Sequence, residues 1–272
     1  MYVVNRALAE RLEASEAAHW GSLMEGLRTV GGYDPDLRRF GPITALTCRA
    51  MAERSFVNRL MGVRERALQE LSAAADWFRE RGVVCRVDLC PLLAGEETLA
   101  HLRKLGFVVE GFQMALFSEV RWVARPGRRT LPPGVEIRLA QSQADLEFAA
   151  RAMPVAFDST GEPWLTWLTD SMRASFTRPD WRTYVALVDG EYAGFGQLHL
   201  ADGVGSLALA GTLPQFRGRG VQTALIHRRI DEAAEAGCDL IAAQTGNGTV
   251  SQWNMERVGM RIAYTKAEFY RR

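Results

Sequence analysis

The residues best suited to chemistry form one run: Thr212-Leu213-Pro214-Gln215-Phe216-Arg217-Gly218-Arg219-Gly220-Val221-Gln222. An apolar, strand-like stretch from Ser206 ends at Thr212, the chain turns on two glycines, and a helical apolar stripe opens at Val221. A helix start leaves backbone N–H groups without intrahelical partners and lies at the positive end of the helix dipole, so it attracts anions. Glycine lets the backbone approach a phosphate closely and take positive φ. Arg217 and Arg219 add charge-assisted donors. The run therefore predicts a pyrophosphate site.

The type of nucleotide is narrowed by what the run lacks. There is no Gly-x-x-x-x-Gly-Lys-Ser/Thr, which excludes an ordinary P-loop. Gly218-x-Gly220-x-x-Thr223 misses the third glycine of a dinucleotide fingerprint, and it follows antiparallel-looking strands instead of opening a βαβ repeat. The run resembles motif A of the GNAT superfamily of acetyl-CoA-dependent N-acetyltransferases, Arg/Gln-x-x-Gly-x-Gly/Ala. Arg217, Gly220 and Gln222 stand at its three defining positions, and Thr212-Leu213-Pro214 matches the approach. Asn247 and the stretch Asn254-Met255-Glu256-Arg257-Val258-Gly259-Met260 resemble the superfamily's asparagine and its Tyr-Glu-Lys-Leu-Gly-Phe ending. Order and spacing agree from Val135 onward.

The resemblance implies acetyl-CoA as co-substrate and direct attack of a small primary amine on the thioester. It implies that the backbone of Ala210, Gly211 and Thr212 runs beside the pantetheine arm and acetyl carbonyl, because that strand splays from its neighbour. Arg217, Gly218, Arg219, Gly220, Val221 and Gln222 are then expected to hold the pyrophosphate. Asn247 matches an asparagine that contacts the pantetheine arm, with Ser251 just beyond it. Two positions depart from the pattern. Gln222 stands where Gly or Ala is usual, and its amide can donate to phosphate. Asn254 stands where many members have a tyrosine acting as general acid, a role an asparagine cannot fill.

The catalytic base is not fixed by the sequence. Asp158, Glu162, Asp170 and His199 are candidates, and each also suits a surface or helix-capping role. Trp164, Trp167 and Trp181 suit a pocket wall or a core. Other readings are a non-catalytic acyl-CoA-binding module, or transfer to a hydroxyl, a thiol or a carrier protein.

The elements that position these residues are legible as periodicity. Val135–Leu139 alternates as a strand, helices are expected from about Asp145 and Pro163, and paired strands at Arg182–Val188 and Tyr192–Leu200 flank Asp189-Gly190. A helix from Val221 to Gly237, a strand from Asp239, a short helix at Ser251–Arg257 and a last strand toward Tyr270 follow. The Pro- and Gly-rich, basic stretch 125–134 reads as a solvated linker between halves 1–124 and 135–272. The first half repeats glycines in the same order: Gly62, a helical stripe through Leu68, Leu71, Ala75 and Phe78 to Gly82, a strand from Val83, a helix at Glu97–Lys104, and Leu105-Gly106-Phe107. Its matching turn, Asn58-Arg59-Leu60-Met61-Gly62, keeps one arginine and one glycine, and His101 falls opposite Asn254. The predicted fold is thus α/β (α+β): two tandem GNAT-like domains, each a mixed sheet flanked by helices, the first a degenerate copy.

The 272-residue chain carries 33 Lys+Arg against 32 Asp+Glu, so charge gives no footprint for nucleic acid or an anionic membrane. The basic pairs Arg38-Arg39 and Arg128-Arg129 read as solvated surface or linker. Met1 to Glu16 carries charges throughout and reads neither as a signal nor as a membrane span. Cys48, Cys85, Cys90 and Cys238 form no Cys-x-x-Cys pair, and His19, His101, His199 and His227 are dispersed. No metal is expected. A cytoplasmic monomer or homodimer acting on a small molecule is the expectation.

Overall fold

The computed structural model describes residues 3–127 and 129–271; Met1 and Arg128 lie outside the described residues. Helix α1 (Arg6–Val30) precedes strands β1 (Pro35–Phe40), β2 (Ile43–Cys48) and β3 (Arg59–Met61). Helix α2 (Leu68–Arg81), strand β4 (Cys85–Leu89), helix α3 (Glu96–Lys104), strand β5 (Val108–Glu119) and the single turn α4 (Val120–Val123) follow. Beyond the 125–134 stretch come β6 (Val135–Leu139), α5 (Gln143–Ala156), α6 (Trp164–Phe176), β7 (Trp181–Val188), β8 (Glu191–Ala201) and β9 (Val204–Thr212). The chain ends with α7 (Val221–Glu235), β10 (Leu240–Gly246), α8 (Val250–Arg257) and β11 (Arg261–Arg271). It divides into two compact units: Met1–Ala115 with Thr245–Asn247 and Ile262–Arg272, and Leu116–Gln244 with Gly248–Arg261.

In the first unit the strand order β1-β2-β3-β4-β11 is mixed: β1/β2 and β2/β3 are antiparallel, β3/β4 parallel, and β4/β11 antiparallel. In the second unit the order β10-β9-β8-β7-β6 repeats the scheme, with β9/β10 parallel and the other pairs antiparallel. The crossovers β3-α2-β4 and β9-α7-β10 correspond. Each unit buries its own core, that of the first around Leu60, Leu71, Phe78 and Val87 and that of the second around Tyr184, Ala186, Val221 and Leu225. Both are the mixed α/β sheets flanked by helices that the periodicity predicts.

Three elements differ from their sequence reading. The helix expected from Gly62 begins at Leu68, because Gly62 (φ +75°) and Arg66 (φ +69°) are left-handed and Glu65 donates its N–H to the Leu93 carbonyl. The last strand, read as closing the second half, pairs with β4 (Ala267 opposite Leu89, Phe269 opposite Val87) and completes the first unit. The stretch 125–134 is not a free tether. Arg125 donates its backbone N–H to Asp231 Oδ1 on α7 at 2.7 Å, and a Cβ at Gly220 would stand 2.8 Å from Pro132. Sequence patterning is also silent on α1 and the β1/β2 hairpin. Asn5 caps α1 by accepting from the Leu8 N–H at 2.9 Å.

Candidate functional site

The second unit contains an opening between two adjacent parallel strands. β9 and β10 pair only at Leu240/Val204, Ile241/Gly205 and Ala242/Ser206, although β9 runs on to Thr212 and β10 to Gly246. Past Ser206 the backbone of β9 therefore faces a gap on that side, and Ala208, Leu209 and Ala210 are half-exposed in the middle of a strand. Unpaired N–H groups along such an edge demand partners. The Thr212 Oγ1 atom is buried without a hydrogen-bond partner, a donor and acceptor awaiting one. Ala210, Gly211 and Thr212 all lie on this edge. Leu207, Ala208 and Leu209 lie on it too, and spacing alone did not single them out.

β9 leads directly into the glycine turn. A single 3-10 turn, Pro214–Phe216, is followed by Gly218 (φ +79°) and Gly220 (φ +78°), and Gly220 caps α7. Both conformations are costly for any other residue. A Cβ at Gly218 would meet nothing within 4 Å, so this side of the turn is open. The first intrahelical bond of α7 runs from the Ala224 N–H to the Gly220 carbonyl, which leaves the N–H groups of Val221, Gln222 and Thr223 at the open end. Arg217 and Arg219 are exposed and paired at the surface: Arg217 donates to the Ala156 carbonyl at 3.3 Å and lies 3.8 Å from Asp158, and Arg219 lies 2.8 Å from Asp189. Such pairs are weak and can exchange for an anion. The open turn, the free helix start and the orphaned Thr212 hydroxyl fit a phosphate-bearing, pantetheine-like ligand.

The gap has a cause in the neighbouring strand pair. Between Gly196/Ala210 and Leu198/Leu207 the β8/β9 register shifts, so Ala208 and Leu209 oppose the single residue Gln197. This is a β-bulge, which bends its strand and increases local twist. Behind it lies Arg229 of α7, 1% exposed and without an ion-pair partner among the described residues. Its Nη1 donates to the Gln197 carbonyl at 2.9 Å and to the Ala208 carbonyl at 3.5 Å, and its Nε donates to the Leu225 carbonyl at 3.0 Å. Burial pulls its pKa down to about 10. A signal for Arg229 was present in the sequence, since it interrupts the apolar row Val221, Leu225, Ala233 of α7. Gly196 in mid-strand was the companion signal for a close approach.

Ser251 and Asn254 lie one turn apart on α8, both half-buried, and Thr249 caps that helix by accepting from the Gln252 N–H. Asn247 is exposed in the turn after β10. Glu162 accepts from the Thr166 N–H at 3.2 Å and thus serves the start of α6. Asp170 pairs with Arg173 at 3.1 Å on the same helix. Asp158 sits 76% exposed beside Arg217. His199 is buried on β8, its Nε2 3.0 Å from Asp180 Oδ2 and its ring edge-on to Trp181. Burial lowers the His199 pKa despite the Asp180 carboxylate. It lies directly opposite Ser206, the last β9 residue paired to β10. Trp167 is core, and half-buried Trp164 stacks on it with centroids 5.0 Å apart.

The corresponding region of the first unit is built differently. Leu60 and Met61, read as part of a turn, are buried residues of β3. Arg59 does not face solvent: it is buried against Asp88, with Nε 2.7 Å from Oδ2, and lies over the Trp20 ring. Asn58 spends its amide on the Met51 and Arg54 carbonyls and accepts from the Cys48 N–H. A Cβ at Gly62 would stand 2.8 Å from the Pro42 carbonyl oxygen, so that turn is closed where Gly218 is open. His101 lies 2.7 Å from the Ser72 hydroxyl, an ordinary helix-to-helix contact.

Residues 149–259 match the Acetyltransferase (GNAT) family, a span that includes the strand gap, the glycine turn and α8. Three solved structures share the fold over most of the chain. A GCN5-related N-acetyltransferase from Kribbella flavida superposes with a TM-score of 0.64 at 19% identity, covering 93% of this chain and 94% of that one. A GCN5-related N-acetyltransferase from Sphaerobacter thermophilus gives 0.60 at 17% identity, with coverage of 91% and 84%. A tandem GNAT protein from the clavulanic acid biosynthesis pathway gives 0.59 at 12% identity, with coverage of 84% and 77%. Comparison with curated proteins finds none that matches this chain. Among the described residues no group of three or more His, Cys, Asp or Glu suits a metal ion, and no helix is long and apolar enough to cross a membrane.

Proposed function

We propose that this chain, whose residues 149–259 match the Acetyltransferase (GNAT) family, is a tandem GNAT protein that transfers an acetyl group from acetyl-CoA to a small primary amine by direct attack. The observation that carries the reading is the β9/β10 ladder stopping at Ser206/Ala242, immediately upstream of an open glycine turn and a free helix start. In this reading the pyrophosphate lies on the turn Arg217 to Gln222, and Arg217 and Arg219 exchange their surface carboxylates for it. The pantetheine arm follows β9 past Thr212, Gly211 and Ala210, where unpaired N–H groups and the Thr212 hydroxyl satisfy its amides. Asn247, Ser251 and Asn254 contribute from the segment after β10. The thioester carbonyl then reaches the bulged part of β9, whose N–H groups stabilise the oxyanion that develops as the amine attacks. Holding amine and thioester together supplies much of the acceleration.

β9 bears no carboxylate or imidazole. Proton removal therefore falls to a group outside that strand, either directly or through water. His199, opposite Ser206 and held by Asp180, stands nearest the vertex of the gap in the ladder register. Asp158, beside Arg217 on an exposed loop, is the alternative. The first unit is read as a non-binding copy, because its turn is closed and its arginine is committed to Asp88. A near-neutral chain favours a small acceptor over nucleic acid.

The test is calorimetry with CoA followed by thiol release from acetyl-CoA across a panel of small amines. Saturable CoA binding with amine-dependent thiol release is expected. Binding without release for any amine, hydroxyl or thiol acceptor would leave a non-catalytic acyl-CoA module, which the asparagine at position 254 already favours as the second reading.

A further inference from the structure

We infer that Arg229 is a positioning residue for the transfer step: from behind β9 it fixes the bulge at Ala208-Leu209 and thereby the direction of the N–H groups offered to the thioester carbonyl. The inference rests on the acyl-transfer reading above and adds to it a residue that no glycine motif contains.

The geometry is specific. At the bulge one β8 residue faces two β9 residues, so the regular exchange of N–H and carbonyl between the strands is interrupted. The carbonyls of Gln197 and Ala208, one from each strand at that interruption, both accept from the same Arg229 nitrogen. A rigid guanidinium bridging them sets the offset between strands in a way that a flexible ammonium cannot. The third bond, to Leu225, ties the bridge to α7, the helix whose start forms the phosphate turn. Gly196 completes the arrangement. A Cβ there would stand 3.0 Å from Arg229 Nε and 3.2 Å from Cζ, so the missing side chain is the space the guanidinium fills.

The energetic context points the same way. A buried cation without a carboxylate is costly, and α7 would pack at lower cost with leucine or methionine in this apolar row. A side chain that merely filled the core would not need a charge aimed at two carbonyls of a bulge. Polarising the Ala208 carbonyl also strengthens the donor of the same peptide group, the Leu209 N–H, on the opposite side of β9 where the gap lies.

Three variants of the full chain test this: Arg229→Met, Arg229→Lys, and Gly196→Ala, which displaces the guanidinium without altering α7. The readouts are CoA affinity by calorimetry and the infrared carbonyl stretch of bound, isotopically labelled acetyl-CoA, which needs no acceptor. Where an amine substrate is in hand, kcat is followed too. In the wild type the bound carbonyl stretch is expected below its free value. In Arg229→Met and Gly196→Ala it should return toward the free value, with CoA affinity within about threefold. The accompanying fall in kcat is expected at roughly the tenfold to thousandfold scale of a lost oxyanion donor. Arg229→Lys should restore part of the shift. A folded Arg229→Met with the wild-type stretch and kcat overturns the inference. Should Arg229→Met fail to fold, an unaltered stretch in folded Gly196→Ala or Arg229→Lys overturns it equally. CoA affinity falling in step with the carbonyl signal would mean a general packing role and also reject it. Failure of the wild type itself to bind acetyl-CoA would instead sink the acyl-transfer reading, which distinguishes the two failures.

Discussion

Lys266 of the last strand is fully buried between Glu13 and Glu16 of the first helix, 250 positions from Glu16 in sequence, with Nζ 2.6 Å from Glu13 Oε1. Burial alone would lower the lysine pKa, but Glu13, Glu16 and Asp88 outweigh it and hold the ammonium charged. The Tyr264 hydroxyl donates to Glu13 at 2.9 Å, and Arg271 donates to the carbonyls of Ala75 and Leu105. The first unit is therefore tied to the end of the chain. Lys266→Met leaves two buried carboxylates facing each other and should cost about 3–5 kcal/mol. Urea denaturation followed by circular dichroism reads this directly. A loss under about 1 kcal/mol would mean the network is not an energetic tie.

That tie shows where sequence reading stops. Elements with strict local periodicity, such as α7 or the β7/β8 hairpin around Asp189-Gly190, are legible because their burial is decided by neighbours in sequence. The glycine turn is legible because positive φ at Gly218 and Gly220 is a local demand. The partner of β11 is not, since a strand's own pattern does not name its neighbour, and β4 lies far away in the first half of the chain. Nothing in the local pattern marks Lys266, and only the fold places it between carboxylates. Arg229 is intermediate: its place in an apolar row is visible, whereas the bulge it serves exists only once β8 and β9 pair.

Stability should depend on pH through two buried groups of opposite kind. Burial keeps folded His199 neutral with a pKa below the ordinary 6.5, so its contribution is complete above about 6.5 and is lost as pH falls through its folded value. Burial would raise the Asp88 carboxyl, but Arg59 and Arg86 bring it down to about 2. Its contribution is complete above the unfolded value near 3.8 and disappears as pH falls toward 2. His199→Gln should flatten the stability profile just below 6.5, and Asp88→Asn should flatten it below 4, at a lower overall level. A His199→Gln profile parallel to wild type across that window would contradict the first assignment.

Ligand affinity should concentrate at the open turn. Gly220→Glu adds a side chain 2.8 Å from Pro132, strains a residue at φ +78° and places a negative charge at the helix start. CoA binding should be lost in that variant. Arg217→Ala should weaken binding by roughly tenfold, the scale of one charge-assisted bond. Its present partners, the Asp158 carboxylate and the Ala156 carbonyl, are held at the exposed surface, so little stability should be lost. Calorimetry should also give one CoA per chain, because the first unit closes its turn at Gly62 against the Pro42 carbonyl. Two equivalents would refute the degenerate-copy reading.

Asn254 lies half-buried on the same face of α8 as Ser251, where relatives in the superfamily resemblance carry a tyrosine acid. An amide can donate a hydrogen bond to sulfur but has no proton to give up near neutral pH. Departure of CoA as a thiolate must then proceed with hydrogen bonding only, or with a proton from water. Rate control passes to the acceptor, which attacks only when its amine is deprotonated. The rate should rise with pH and level off, with no descending limb from an enzymic acid. Asn254→Ala should cost about tenfold or less in kcat, the size of a hydrogen bond. Asn254→Tyr offers the reverse experiment and should introduce a descending limb at high pH if the phenol reaches the sulfur. A several-thousandfold loss in Asn254→Ala, with CoA affinity retained, would instead make Asn254 an essential participant and overturn this account of thiolate departure.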